Sequence, residues 1–265
     1  MGTLYVVGTP IGNLEDLTER SRVVLGAVAL IAAEDTRVTR KLLNHIQLRT
    51  PLISYHAHNW QARITTILET LNSGDVALVS DAGMPVISDP GSELVSRASS
   101  AGHTISVVPG PSAVTTAISV SGLSGDSFLF LGFLPRKKKN RMERLEGIKN
   151  FIDPVVIFEA PHRVSVTLKD LLAALGDRDM AVCRELTKWH EEIFHGLISE
   201  AIDHFDEPRG EFVLVVAGSN EILNPISNDA LLDAVALELG KLKKSGYHAR
   251  DAVAQVAAEH KLSRK

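Results

Sequence analysis

Apolar and polar positions alternate in two different rhythms along this chain. Short, nearly continuous apolar runs predict buried strands at residues 3–8, 29–34, 75–80 and 103–108, with a weaker one at 51–56. Between them, apolar residues recur every three or four positions. This predicts helices over 14–28, 36–45, 60–74, 90–102 and 111–122. Gly74 and Gly102 close two of these helices. Strand and helix alternate throughout residues 1–120, and uninterrupted apolar strands suit a parallel sheet covered on both faces.

The stretch SGLSGD (121–126) is small, polar and rich in glycine, and reads as a linker. A second set of elements follows it. Strands are expected at 128–134, 154–160, 179–186, 190–198 and 210–218, and helices at 137–151, 162–176 and 199–205. The run at 190–198 follows its neighbour through a short polar link, which implies antiparallel pairing. The expected organisation is an N-terminal α/β domain over 1–120, the 121–126 linker, a mixed α/β domain over 127–220 and a helical extension over 221–265.

Composition narrows the class. A chain of 265 residues that is 45% hydrophobic and 23% charged is a folded protein long enough for two cores. Its single cysteine, Cys183, excludes a disulfide framework and a cysteine-rich zinc module. The first residues carry no basic, cleavable leader, and the longest nearly apolar run, 23–33, is too short for a bilayer. The expected location is the cytoplasm, with no membrane contact. The net charge of −4 announces no nucleic acid, so such a partner would have to be met by a local basic patch. The densest one is RKKKNR, with Arg136, Lys137, Lys138, Lys139 and Arg141. A thinner basic set runs from Lys241 to Lys265.

Candidate chemistry gathers where strands end. Gly and Pro crowd after the first strand (GTPIGN, 8–13), in SDAGMPVISDPG (80–91) and in PGPSA (109–113). In an open α/β sheet, ligands sit outside the carboxyl ends of strands. Asp81 lies at such an end, where a carboxylate can accept hydrogen bonds from an amine or a ribose hydroxyl. Asp89, with Pro90 behind it, reads as a helix cap. AAEDTR (32–37) is either an acidic helix start or a polar cluster at the crevice mouth, and FEAPHR (158–163) poses the same choice. Neither a dinucleotide fingerprint nor a P-loop is present, HEEIFH spaces its histidines wrongly for a zinc protease, and no metal-ligand set stands out.

Eight blocks in this order resemble one family: GTPIGNL, AAEDTR, SDAGMPVISDPG, PGPSA, GFLPRKK, FEAPHR, RELTK and GEFVLVV. The family is the ribosomal RNA small subunit methyltransferase I family, in the tetrapyrrole methylase superfamily. The resemblance implies a class III methyltransferase fold, with S-adenosyl-L-methionine in the cleft between two α/β domains. It also implies a homodimer that methylates the 2′-hydroxyl of a cytidine in the decoding region of 16S rRNA, on the small ribosomal subunit. By matching blocks, cofactor contacts are expected at Pro10, Asp81, Met84, Ser112, Ala113 and Ala160, and near Ala217. Met84 stands where the family more often has Thr, so a backbone contact is expected there. Candidate bases are Asp35, Glu159 and His162, with Glu159 favoured for lying beside Ala160. Arg37, Arg163 and Arg184 are expected to hold RNA phosphates together with the RKKKNR run. The family's basic C-terminal module normally continues past a position like Lys265, so a truncated tail is expected. Two rival readings are a methyltransferase of small tetrapyrroles and a non-catalytic RNA-binding protein.

Overall fold

The computed structural model describes residues 1–123, 125–219, 228–244, 247, 252, 253, 255 and 256. The chain divides into two compact units, Met1–Gly218 and Ser219–Lys265. In the second unit the helix α9 spans Asn228–Lys244. The Lys261–Lys265 end of the basic set lies outside the described residues.

The first unit holds two five-stranded sheets. One has the order β3-β2-β4-β1-β5. Its strands are β1 (Thr3–Val7), β2 (Leu30–Ala33), β3 (Leu52–Ser54), β4 (Val76–Val79) and β5 (Thr104–Val108), and every pair in it is parallel. The helices between them are α1 (Glu19–Ala27), α2 (Thr36–His45), α3 (Trp60–Ser73) and α4 (Ser92–Ser100). They cover both faces, as uninterrupted apolar strands require. Leu4, Val76 and Leu78 pack with Ile67 and Leu71 of α3 and Leu94 of α4. Val7, Ile31 and Val79 pack with Leu25 of α1 and Leu43 of α2.

The second sheet has the order β6-β7-β10-β8-β9. Its strands are β6 (Leu129–Phe133), β7 (Val155–Glu159), β8 (Asp179–Arg184), β9 (Glu192–Leu197) and β10 (Phe212–Val216). β6 and β7 are parallel and the other pairs are antiparallel, so the sheet is mixed as expected. Its strand residues alternate between two cores. Val155, Ile157, Val182 and Leu214 face α6 (Lys138–Glu146), α7 (Pro161–Leu175) and α8 (Ile198–His204). Val156, Ala181, Cys183 and Val213 face the other way and pack against Val114 and Ala117 of α5 (Ala113–Val120). Since α5 leaves the last strand of the first sheet and covers the second, it ties the two together.

Local chemistry moved several expected boundaries. The helix expected over 14–28 is broken: Asn13 caps a single 3₁₀ turn at Leu14–Asp16, and Thr18 then caps α1 by accepting from Ser21 N–H. The helix expected from residue 90 begins at Ser92, and its cap residue is Gly91 at φ 142° rather than Asp89. Asp89 is thereby released from the structural role read in the sequence.

Candidate active site

The carboxyl ends of β1, β2, β4 and β5 open toward those of β7 and β8 and the start of β10. They enclose a cavity of about 410 Å³, within the usual range for small-molecule sites. The first sheet supplies backbone at close quarters. Thr9 and Gly83 exchange two backbone hydrogen bonds, N to O, of 2.9 and 3.1 Å, which lock the loop after β1 to the loop after β4. A Cβ on Gly8 would sit 2.7 Å from the backbone of Gly110, so the GTPIG and PGPSA loops meet without side chains between them. Ala82, Gly83, Met84, Ser112 and Ala113 line the cavity from these loops. From the second sheet come Phe133, Phe158, Ala160, Cys183 and Phe212. Phe158 meets the rings of Phe130 and Phe133 edge-on, at 4.9 and 5.7 Å between centroids. Burial pushes the Cys183 thiol up to about 11, which keeps it a packing residue.

Three carboxylates of the first sheet line the same cavity, Glu34, Asp81 and Asp89, alongside Glu159 and Glu211 of the second. Among the described residues, none of the three forms an ion pair. Asp81 accepts a 2.9 Å hydrogen bond from Asp35 N–H. Lost hydration, with the neighbouring Asp35 charge, holds its carboxyl above the usual range despite that bond. Burial and then the Asp81 charge raise Glu34 in the same way. Burial, followed by the charge of Glu34, pushes Asp89 to about 6. The loop carrying Asp89 is strained: Val86 has φ 76° and Ser88 φ 65°, both rare for such residues. Among the described residues, no three metal-ligating side chains converge to hold a metal ion.

Five expected cofactor residues, Asp81, Met84, Ser112, Ala113 and Ala160, line this cavity. Two do not. Pro10 is buried beside Ile11, which takes its place on the wall. Ala217 lies at the wrong end of its strand. β10 runs antiparallel to β7, so Phe212 stands opposite Glu159 at the cavity while Val216 stands opposite Val155 at the far end. The last strand therefore contributes Phe212 and Val213.

Of the expected bases, Glu159 lines this cavity, and Asp35 and His162 do not. Glu159 is 2% exposed, and its carboxylate is enclosed by nearby donors: Thr167 Oγ1 at 2.6 Å, Ala160 N–H at 2.9 Å and Arg163 Nε at 3.2 Å. Both of its oxygens are taken by these donors, so it anchors the start of α7 rather than waiting for a proton. Asp35 caps α2 through Arg37 N–H and is clasped by the Arg37 guanidinium, which with that cap bond holds its carboxyl down at about 2. His162 lines a different, smaller cavity together with Arg136, Arg141, Arg163, Val166 and Thr167.

The expected RNA contacts divide sharply. Arg141 is 5% exposed and is clamped to Asp170 at 2.6 Å and to the carbonyls of Pro135 and Arg136, so it belongs to the core. Arg163 is held by Glu159 and by Leu134 O, and Arg184 by Glu192 and Arg209 O. Arg37 reaches solvent but is paired with Asp35. Only Arg136, Lys137, Lys138 and Lys139 of the expected set stand exposed with no ion pair closer than the 3.9 Å Lys139–Glu143 contact.

Sequence reasoning read Asp89 as a helix cap and left Glu34 within an acidic helix start or a polar cluster, without naming either as a site residue. Glu34 was detectable as the residue between a strand end and a cap: the cap turns its side chain to the helix, while its predecessor still faces the crevice.

A model of the tetrapyrrole (corrin/porphyrin) methylases matches residues 3–202. A ribosomal RNA small subunit methyltransferase I from Thermotoga maritima is 50% identical over 221 residues, covering 82% of this chain and 99% of that protein. The enzyme of the same name from Halalkalibacterium halodurans is 44% identical over 269 residues, covering 100% of this chain and 92% of the other. The chain belongs to the ribosomal RNA small subunit methyltransferase I family, among the tetrapyrrole methylases. Solved structures of low identity share this family's fold. A uroporphyrin-III C-methyltransferase from Thermus thermophilus, crystallised with S-adenosyl homocysteine, superposes with a TM-score of 0.60 at 18% identity over 82% of this chain and 97% of its own. A diphthine synthase reaches 0.63 at 13% identity over 82% and 90%. The two-sheet α/β architecture is thus the class III methyltransferase fold.

Proposed function

We propose that this cleft binds S-adenosyl-L-methionine and that the chain methylates the 2′-hydroxyl of a cytidine ribose in the decoding region of 16S rRNA, on the small ribosomal subunit. The observation that carries the reading is the charge of the cleft. Apolar and aromatic walls surround three carboxylates that form no ion pair among the described residues, a setting suited to a ligand with an apolar ring and its own positive charge. A nucleoside triphosphate is the wrong sign for it. When bound, the cofactor supplies an electrophilic methyl group on a sulfonium. Asp81 suits an amine or ribose hydroxyl of it, and the Ala82–Met84 and Ser112–Ala113 backbones approach closely enough to fix its position. The names of the curated relatives support ribosomal RNA as the acceptor.

A separate feature supports RNA. Lys137 caps α6 with no side-chain hydrogen bond, and Lys138 and Lys139 fill its first turn, beside exposed Arg136. Cations at a helix N-terminus oppose the helix dipole and destabilise it. The same group of charges and free N–H groups is favourable for a phosphate. The resemblance also supports a homodimer working in the cytoplasm; among the described residues no helix is long and apolar enough to cross a membrane.

The test is methyl transfer from labelled S-adenosylmethionine to unmethylated small subunits, followed by mapping of the product. One 2′-O-methylcytidine in the decoding region is the expected result. Label on a base, or on a small tetrapyrrole and not on the subunit, would overturn the reading.

A further inference from the structure

The smaller cavity is the chemical opposite of the cleft. It has a volume of about 390 Å³ and is lined by Arg136, Arg141, His162, Arg163, Val166 and Thr167. Five carboxylates line the cleft and none lines this cavity. Arg141 and Arg163 are paired with Asp170 and Glu159, but neither acid reaches the cavity wall. The two guanidiniums also fix the turn that follows β6. Arg141 Nη1 donates to the carbonyls of Pro135 and Arg136, and Arg163 Nη2 donates to Leu134 O. That turn presents Arg136, which is exposed and forms no ion pair among the described residues. Arg163 Nη1 and the His162 ring take no hydrogen bond among the described residues. The two cavities are neighbours along the same two segments. Pro161 lines the cleft and His162, the next residue, lines the smaller cavity; Phe133 lines the cleft and Arg136, three residues on, lines the smaller cavity.

We propose that this cavity binds one phosphodiester group of the RNA strand, beside the nucleotide whose ribose enters the cleft. This rests on the ribose-methylation reading above. Guanidinium and imidazole groups with no acid among them suit an oxyanion. A ribose within an RNA chain carries a phosphodiester on either side, so a strand that delivers one to the cleft brings such an anion past its rim. Arg136 supplies the uncompensated charge. Arg163 and His162 supply N–H groups that the protein itself leaves unused, and the backbone clamp on residues 134–136 holds the three in place. Val166, 51% exposed, lies one helical turn from His162 on the same face of α7 and leaves the mouth of the cavity uncharged. With the phosphate held here and the ribose in the cleft, the nucleotide is fixed at two points, which in-line attack on the cofactor methyl demands. The Lys137–Lys139 run attracts the strand by charge; this cavity sets its register.

The experiment places one charge at the mouth of the cavity. Val166→Gln and Val166→Glu introduce side chains of nearly the same shape that differ by one negative charge. The Kd for unmethylated small subunits should stay within about twofold of wild type for Val166→Gln and rise by about tenfold for Val166→Glu. Arg136→Gln should lower the slope of log K against log salt by about 0.7–0.9, the share of one phosphate. Melting temperature and the calorimetric Kd for S-adenosylmethionine should stay near wild type in all three variants. Subunits reconstituted with randomly ethylated 16S rRNA then locate the contact: ethylation of the phosphate beside the methylated ribose should block binding to wild type and matter less to Arg136→Gln. Equal losses for Val166→Gln and Val166→Glu overturn the proposal, since bulk and not charge would be responsible. A loss confined to cofactor binding overturns it too, by giving the cavity to the carboxylate of the cofactor. So does an ethylation map with no interfering phosphate next to the target. The expected charge effect and ethylation map, with methyl transferred to a base, would sustain the phosphate contact while overturning the ribose reading.

Discussion

Both sheets place charged residues at the strand ends that meet in the cleft, but they treat them in opposite ways. In the second sheet nearly every charge is paired: Glu159 with Arg163, Arg184 with Glu192, Lys188 with Glu185 and Glu211, and Arg141 with Asp170 behind them. In the first, Glu34, Asp81 and Asp89 crowd together, and none has an ion-pair partner among the described residues. Paired charges are held for architecture, since each is neutralised and geometrically fixed. Uncompensated ones raise one another's proton affinity and cost stability, an arrangement expected where a ligand or proton completes them. FEAPHR and AAEDTR look alike as text, yet the first is scaffold for the cleft wall and the second delivers Glu34 into it.

The largest effect should come from breaking the most buried pair. Arg141→Met strips Asp170, whose side chain is only 8% exposed, of its partner, and should destabilise the protein by about 3–5 kcal/mol. Combining it with Asp170→Leu should recover much of the loss, because two apolar side chains leave no stranded charge. Denaturant unfolding of the single and double variants measures both. A single variant as stable as wild type would return Arg141 to the RNA contacts.

Glu159→Gln comes next and tests the paired side of the comparison at the cleft itself. The amide keeps the shape but cannot neutralise Arg163, and it weakens the 2.6 Å bond from Thr167. A loss of about 1.5–3 kcal/mol is expected, with the folded enzyme still turning over. Normal stability with abolished turnover would assign Glu159 to the chemistry instead.

Asp81→Asn tests the unpaired side. The backbone bond from Asp35 survives in the amide, but the negative charge facing the cofactor does not. Binding of S-adenosylmethionine should weaken by about tenfold, roughly 1.4 kcal/mol, as calorimetry would read. Removing one of three crowded carboxylates also lets the others ionise more easily, so the pH below which the remaining cofactor affinity falls should shift lower. Tighter binding in the variant would mean that the acidic cleft does not serve a cationic ligand.

These contrasts also mark what was legible in the sequence. The parallel first sheet was readable because its strands are buried on both faces and interrupted by regular helical spacing. The antiparallel pairing of β8 with β9 was readable from the short link between them. Ala217 was misplaced because sequence order does not say which end of an antiparallel strand meets the cleft. The partners of Glu159 and Arg141 were not legible because they are assembled only in three dimensions: Thr167 lies 8 residues beyond Glu159, and Asp170 lies 29 residues beyond Arg141. Asp89 was hidden by a sound local rule. Asp followed by Pro before a helical pattern is a good cap, but here the positive φ of Gly91 starts the helix two residues later.

Lys137, Lys138 and Lys139 give the smallest effect per residue and the finest test, since they are cations without a close partner in the half of the molecule where charges are otherwise paired. Among the described residues their one ion-pair contact, Lys139 with Glu143, is long at 3.9 Å and exposed at both ends. Each opposes the α6 dipole by about 0.3–1 kcal/mol at low ionic strength. Replacing all three with Gln should therefore raise the melting temperature slightly. The same change should weaken binding to small subunits and reduce the slope of log K against log salt by about 0.7–0.9 for each phosphate that is no longer neutralised. The two signs must appear together if these residues trade helix stability for RNA affinity. A stability gain with an unaltered salt slope would leave the cluster as solvated surface, and the pairing rule drawn from the rest of the second sheet would have lost its informative exception.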